Sequence, residues 1–279
     1  MSIQWFPGHM AKARQLLSEC IPLVDVVIEL RDARIPLSSA NPLLAHMLGD
    51  KPRVIALTKP DLADEKATAL FAARFAREGL RCVAVNARDQ RGMRELLNTT
   101  KQAAEGTIPR DRANGRPLRT PRVMVAGIPN VGKSSLINAL CQRKAARTGA
   151  LPGLTRAKQW IRLASGLEIL DTPGLLWPRL EDPDVAFRLA VTGAIGEGGF
   201  DNRELAERLV EFLALAYPSA LTDRFGIAGA ADMLAHDLLQ KIGERRGCLM
   251  SGGQVDLARA ADLLLQEFRL GKLGRFTLD

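Results

Sequence analysis

"GIPNVGKSS" (127–135) is the stretch on which the fold turns: Gly127 to Ser134 fit the spacing G-x-x-x-x-G-K-[ST] and lie between a β-branched run and a helical segment. In that setting successive backbone N–H groups converge on phosphate oxygens at a helix N-terminus, where the helix dipole also favours negative charge. Lys133 is placed to reach the β- and γ-phosphates and Ser134 to offer its hydroxyl to Mg²⁺, with Asn130, Val131, Gly132 and Ser135 completing the loop. A tight glycine turn with an incidental Lys-Ser pair is the alternative, and the strand-loop-helix context disfavours it.

Downstream, "LEILDTPGL" (167–175) delivers Asp171 from the end of a strand, where its carboxylate can hold Mg²⁺ through water. Gly174 can bring its backbone N–H to a γ-phosphate because no side chain intervenes. Asp-x-x-G alone is a common turn; after a strand and behind a phosphate loop it gains weight. Between the two motifs lies "RTGALPGLTRAKQ" (147–159), where Thr155 is the candidate for a second hydroxyl on Mg²⁺ and Thr148 the alternative.

Upstream, "VIALTKPDL" (54–62) reads as a buried strand running into a turn with the chemistry of guanine selection. The Asp61 carboxylate can accept from the base N1–H and exocyclic amine, the Lys59 stem can cover the ring, and Pro60 stiffens the turn behind Thr58. Adenine lacks that donor pair, and an Asp61 left unpaired beside it costs on the order of 1–3 kcal/mol or more. A third strand ends in "VNARD" (85–89), which can set the Ala87 N–H on the guanine O6 with Asn86 beside it.

The base motifs therefore precede the phosphate loop, whereas a usual GTPase runs phosphate loop, switch threonine, Asp-x-x-G, base, base. Joining the usual ends through residues 106–121 and opening the chain after Gly174 converts one order into the other. That segment, "GTIPRDRANGRPLRTP", holds three prolines, two glycines and four arginines and reads as a linker. A β-branched apolar run at 24–36 ends in a charged turn that Pro36 stops, and strands are expected at 53–57, 81–85, 122–127 and twice within 157–174. Helices are expected at 42–48, 64–78, 92–105 and 133–141, then near 184–194, 202–216, 228–243 and 254–270. The alternation argues for an α/β fold: a mostly parallel sheet with helices on both faces over 1–178, followed by a small all-α domain over 179–279.

The chain has 279 residues, 47% hydrophobic and 25% charged, which excludes a disordered or fibrous class. No secretory leader or membrane span is legible, so a cytoplasmic protein without a membrane role is expected. Cys20, Cys82, Cys141 and Cys248 form no Cys-x-x-Cys pair and are expected to be reduced. A net charge of +8 and a pI near 9.7 suit nucleic-acid binding as well as simple solubility. Basic residues gather at Arg110, Arg112, Arg116, Arg119, Arg143, Lys144, Arg147, Arg156 and Lys158, and in the helical part at Lys241, Arg245, Arg246, Lys272 and Arg275.

With "WFPGHM" (5–10), "DAR-P" (Asp32 to Pro36), "TKPD", "GIPNVGKSS", "PGLT" (152–155), "DTPG" and "GGQVDLARAADLLLQEFRLGKLG" (252–274), the sequence resembles the circularly permuted GTPases, most closely the YlqF/RbgA type, ribosome biogenesis GTPase A. The resemblance covers nearly the whole chain. Thr58 departs from it, since the family usually has Asn there, whose amide can brace the phosphate loop more fully than a hydroxyl. The resemblance implies a Mg²⁺-dependent enzyme that binds GTP and GDP and hydrolyses GTP to GDP and phosphate. It implies an assembly factor that docks on the rRNA of the large ribosomal subunit in the GTP state, leaves after hydrolysis, and is a monomer off the ribosome.

Leu175 and Leu176 occupy the place where a water-orienting glutamine is common; the resemblance implies that this task has moved to another group, for which His9 in "PGHM" is the candidate, a residue that merely packs or caps being the alternative. Asn130 resembles the asparagine of GTPases that use K⁺ near the phosphates, the alternative being a residue that only shapes the loop. Unassisted turnover should then be slow, on the order of 10⁻⁴ s⁻¹. A rival reading is a guanine-nucleotide-dependent binding module that regulates another RNA or protein partner. A P-loop kinase is a third, disfavoured by Asp-x-x-G together with the base motif.

Overall fold

The computed structural model describes residues 14–15, 17–108, 119–141, 159–171, 182–195 and 200–279. These divide into two compact units, Met1–Glu181 with Thr277–Asp279, and Asp182–Phe276. The last three residues, placed with the helical part in the sequence reading, group with the first unit.

The first unit is built on six strands: β1 (Val26–Asp32), β2 (Arg53–Thr58), β3 (Arg81–Val85), β4 (Arg122–Gly127), β5 (Gln159–Leu163) and β6 (Leu167–Asp171). Their order across the sheet is β3-β2-β1-β4-β6-β5. All neighbours are parallel except β5, which runs antiparallel to β6 at the edge. The two halves of the permuted chain meet at the centre, where β1 pairs with β4 in the register Val26 to Val123 through Leu30 to Gly127.

All seven residues of β1 are buried, so both faces of the sheet are covered. On one face Val27, Met124, Ala126 and Leu170 pack with Leu17, Cys20, and Leu44 and Leu48 of α1 (Pro42–Leu48). Asn41 caps that helix through Leu43 N (3.0 Å) and Leu44 N (3.3 Å), and Pro42 opens it, as its sequence requires. On the same face Ile55 and Leu57 hold Phe75 of α2 (Glu65–Arg77). Between these apolar clusters runs a buried polar seam: Glu29 accepts from Arg31 Nε (2.9 Å) and Arg53 Nη1 (3.0 Å), and the Arg31 guanidinium lies 5.0 Å from the centre of the Phe75 ring. Helix α3 (Met93–Ala104) packs against β1, β2 and β3, and α4 (Lys133–Cys141) against β4 and β5.

Where the segment joining the halves re-enters the sheet, Arg119 grips Asp25 at the foot of β1 with two bonds of 2.7 and 2.6 Å, and Arg122 N donates to the same carboxylate at 2.8 Å. At the other end of β1, the loop that follows it is held by residues from the far end of the sequence. Leu278 N donates to Arg34 O (2.8 Å), and the Asp279 carboxylate accepts from Leu37 N (2.6 Å) and Ser38 N (3.0 Å).

The second unit has five helices among its described residues: α5 (Pro183–Val191), α6 (Asn202–Ala216), α7 (Pro218–Phe225), α8 (Ala235–Arg245) and α9 (Leu257–Arg269). Leu205, Leu209 and Leu213 recur every fourth residue on α6 and are buried, as are Leu238, Leu239 and Ile242 on α8 and Leu264, Leu265 and Phe268 on α9. Phe276 closes this core, stacked on Phe268 at 5.9 Å and edge-on to Tyr217 at 5.0 Å. Two features depart from the periodicity reading. Helix α7 was not expected, and the helix expected from 228 starts only at Ala235, after a single 3-10 turn at Ala230–Asp232. Pro218 sets the first break, and Gly226 and Gly229, both left-handed, set the second.

Candidate functional site

The phosphate loop leaves β4 at Gly127 and enters α4 at Lys133. A Cβ on Gly127 would come within 2.9 Å of the Leu30 carbonyl oxygen, and Gly132 has φ +104, which side-chain-bearing residues rarely adopt. Both glycines of the motif are therefore required by the backbone itself. Asn130 also takes a positive φ of 55, and the Leu136 N–H returns to Gly132 O at 2.9 Å. Lys133 is buried at the start of α4, with Ser134 partly exposed and Ser135 exposed beside it.

The base turn comes from the other half of the chain and is stapled to this loop by two neighbouring side chains. Thr58 Oγ1 donates to Val131 O at 2.6 Å. Lys59 Nζ donates to Asn130 O at 2.8 Å. The hydroxyl thus does make a bond to the phosphate loop where an asparagine is more usual. Lys59 itself sits at φ 56, a left-handed conformation that for a lysine costs of order 1–3 kcal/mol. A cleft in front of the turn is lined by Thr58, Lys59, Asp61, Asn86, Ala87, Gly132 and Ser135, with Leu62, Val85, Arg88 and Leu136. The structure therefore brings both base motifs and the phosphate loop to one rim of the sheet, at the C-terminal ends of β2, β3 and β4. Ligand sites of open α/β sheets lie at such ends.

Asn86 is buried, and its Oδ1 accepts from Arg88 N at 2.9 Å, so the side chain folds the turn that presents Ala87. Arg88 Nη1 lies 4.0 Å from Asp61 Oδ2 across the mouth of the cleft. Asp171 is the last residue of β6, in register with Val125, two residues before Gly127. His9, Thr148, Thr155 and Gly174 lie outside the described residues.

Two residues of the site were not read from the sequence. Asp32, at the end of β1, is buried and receives Lys59 Nζ at 2.9 Å, Arg34 Nε at 2.9 Å and Arg34 Nη2 at 2.7 Å. Burial alone would raise the Asp32 carboxyl, but the two cations hold it well below the usual carboxylate range. Burial pushes the Lys59 ammonium below its ordinary value, Asp32 pulls it back, and Arg34 pushes the same way as burial. The apolar run followed by charges had marked only a turn; the "DAR-P" match was the one signal that pointed here. Two cations counted with the basic residues are committed elsewhere: Arg119 to Asp25, and Arg246 to Glu267 (3.4 Å) and the Phe225 ring (5.1 Å).

The donors suit a magnesium ion, which takes oxygen ligands and is held in nucleotide sites by one or two side chains together with phosphate oxygens and water. Ser134 is the second residue of α4, next to the phosphate loop, and Asp171 ends β6, the strand beside the β4 that leads into that loop.

A family model described as "50S ribosome-binding GTPase" matches residues 122–208. Ribosome biogenesis GTPase A of Priestia megaterium is 44% identical over 280 residues, covering 100% of this chain and 97% of that protein. Mitochondrial ribosome-associated GTPase 1 of Bos taurus is 34% identical over 295 residues, covering 99% and 88%. Among solved structures, GNP-bound YlqF from T. maritima superposes with a TM-score of 0.67 at 27% identity, covering 96% of this chain and 97% of that one. With its base turn ahead of its phosphate loop and its full-length likeness to these proteins, the chain is a GTPase of the ribosome biogenesis GTPase A family.

Proposed function

We propose that this GTPase hydrolyses GTP as an assembly factor for the large ribosomal subunit, docking on rRNA when GTP is bound and leaving once it is cleaved. The observation that carries the nucleotide part is the double staple of Thr58 and Lys59 onto the carbonyls of Val131 and Asn130. It joins a guanine-selecting turn to a phosphate loop drawn from the opposite half of the chain. In this reading Asp61 takes the guanine N1–H and amine, and Ala87 N–H meets O6 from the turn that Asn86 folds. Lys133 and the loop N–H groups of 130–135 hold the phosphates. Ser134, Thr155 and Asp171 would hold Mg²⁺, which when bound neutralises charge on the β- and γ-phosphates. Gly174 contacts the γ-phosphate, His9 orients the attacking water, and Asn130 takes part in holding K⁺.

The net charge of +8 supports contacts with a phosphate backbone, whose strength falls steeply with salt. The relatives' names support the ribosomal partner, and the bacterial ones among them a cytoplasmic site of action. Among the described residues no helix is long and apolar enough to cross a membrane. The deciding experiment is GTP turnover with and without purified large subunits, at low and high salt. Stimulation of tenfold or more that weakens with salt is expected; unchanged turnover would leave the regulatory binding module as the better account. In the same assay His9→Ala should lose the stimulated rate while retaining nucleotide, and equal rates in KCl and NaCl would dispose of the potassium role.

A further inference from the structure

We infer that Asp32 is a positioning residue for nucleotide binding: it holds Lys59 across the gap between the base turn and the phosphate loop, with Arg34 as the strut that fixes the carboxylate. Lys59 Nζ has two described acceptors, Asp32 Oδ2 at 2.9 Å and Asn130 O at 2.8 Å, one from each half of the permuted chain. An ammonium on a four-carbon stem has many rotamers, and a neutral carbonyl alone is a weak anchor for it. A carboxylate supplies a charge-assisted bond and turns one rotamer into the preferred one.

Asp32 is itself held from several sides. Arg34 Nε and Nη2 bind both its oxygens, Arg34 N donates to Oδ1 at 3.1 Å, and Ser39 Oγ lies 3.0 Å from its backbone N. Arg34 is only 2% exposed. Its own carbonyl accepts from Leu278 N, so the strut rests on a fixed loop. The carboxylate does not line the nucleotide cleft, so its effect on the base is exerted through the lysine.

This rests on the proposed guanine-nucleotide site, and the test separates the two. Binding of fluorescent mant-GDP and mant-GTP is measured for the wild-type chain, Asp32→Asn, Lys59→Met and the double variant. We expect Asp32→Asn to weaken both nucleotides about tenfold in the wild-type background and less than about twofold in the Lys59→Met background, because a residue acting through Lys59 has nothing left to position. Equal losses in both backgrounds would overturn the role and leave Asp32 a stabiliser of its own loop. No binding by the wild-type chain would remove the site and the inference together. Circular dichroism checks folding; should Asp32→Asn not fold, the same cycle is run with Arg34→Lys, where additivity with Lys59→Met is again the overturning result.

Discussion

Thr58 carries one hydroxyl where relatives of this kind usually carry an amide, and its 2.6 Å bond to Val131 O is what remains of the brace on the phosphate loop. Removing it in Thr58→Ala should cost about 1 kcal/mol, which is roughly fivefold in mant-GDP affinity, while Thr58→Ser should hold near the wild-type value. The residues that touch nucleotide in this reading were legible because phosphate and guanine impose backbone spacing as well as residue type. Asp32 and Arg34 were not, since an Asp and an Arg two positions apart at a strand end look the same whether they face solvent or grip a lysine from a segment 27 residues away. Cys82 offers a separate check on burial at this scale. Burial pushes its thiol up to about 12, with Glu95 adding to the effect and Arg31 opposing it. At pH 8 Cys82 should therefore resist iodoacetamide in the native protein and react in urea, as read by peptide mass spectrometry.

At the level of elements, strands and amphipathic helices followed their periodicities, and the errors fell where a short polar-apolar mixture offered no clear period. Helix α7 spans eight residues between Tyr217 and Gly226, too few turns to stand out, and it exists because Pro218 ends α6 and opens a new helix at once. The return of the chain into the sheet was also invisible, because Arg119 sits in a run of arginines that composition marks only as linker. Its pairing with Asp25 makes a prediction with a definite sign. Burial would raise the Asp25 carboxyl, but Arg119 and the Arg122 N–H hold it below the usual range. A depressed folded value means that the clamp stabilises the protein above the ordinary carboxylate pKa of about 4 and is lost as pH falls through the folded value. Asp25→Asn should accordingly lower stability by about 1–2 kcal/mol at pH 7, discounted for the partial exposure of Arg119, with the gap to wild type narrowing in urea melts as pH falls below the ordinary carboxylate pKa of about 4.

For the whole molecule, the order of motifs was the decisive clue, and the sheet explains why the reordered chain still works. Strand β1 from one half lies directly beside β4 from the other, so cutting and rejoining the chain left the neighbours of the central strands intact. The helical unit has its own anchor in Glu267, which accepts from Arg224 Nε (2.9 Å) and Nη2 (2.6 Å) and meets Arg246 at 3.4 Å. Glu267→Gln is expected to destabilise that unit by about 2 kcal/mol in calorimetry while mant-GDP affinity stays within about twofold. The return of Thr277–Asp279 to the sheet unit changes what kind of object those helices are. Topologically they are an insertion, entered after β6 and left before Thr277, and not an appendage on a single leash. Cleavage between Asp171 and Asp182 would leave the helices joined to the sheet unit without a covalent link, through the hydrogen bonds of Leu278 and Asp279.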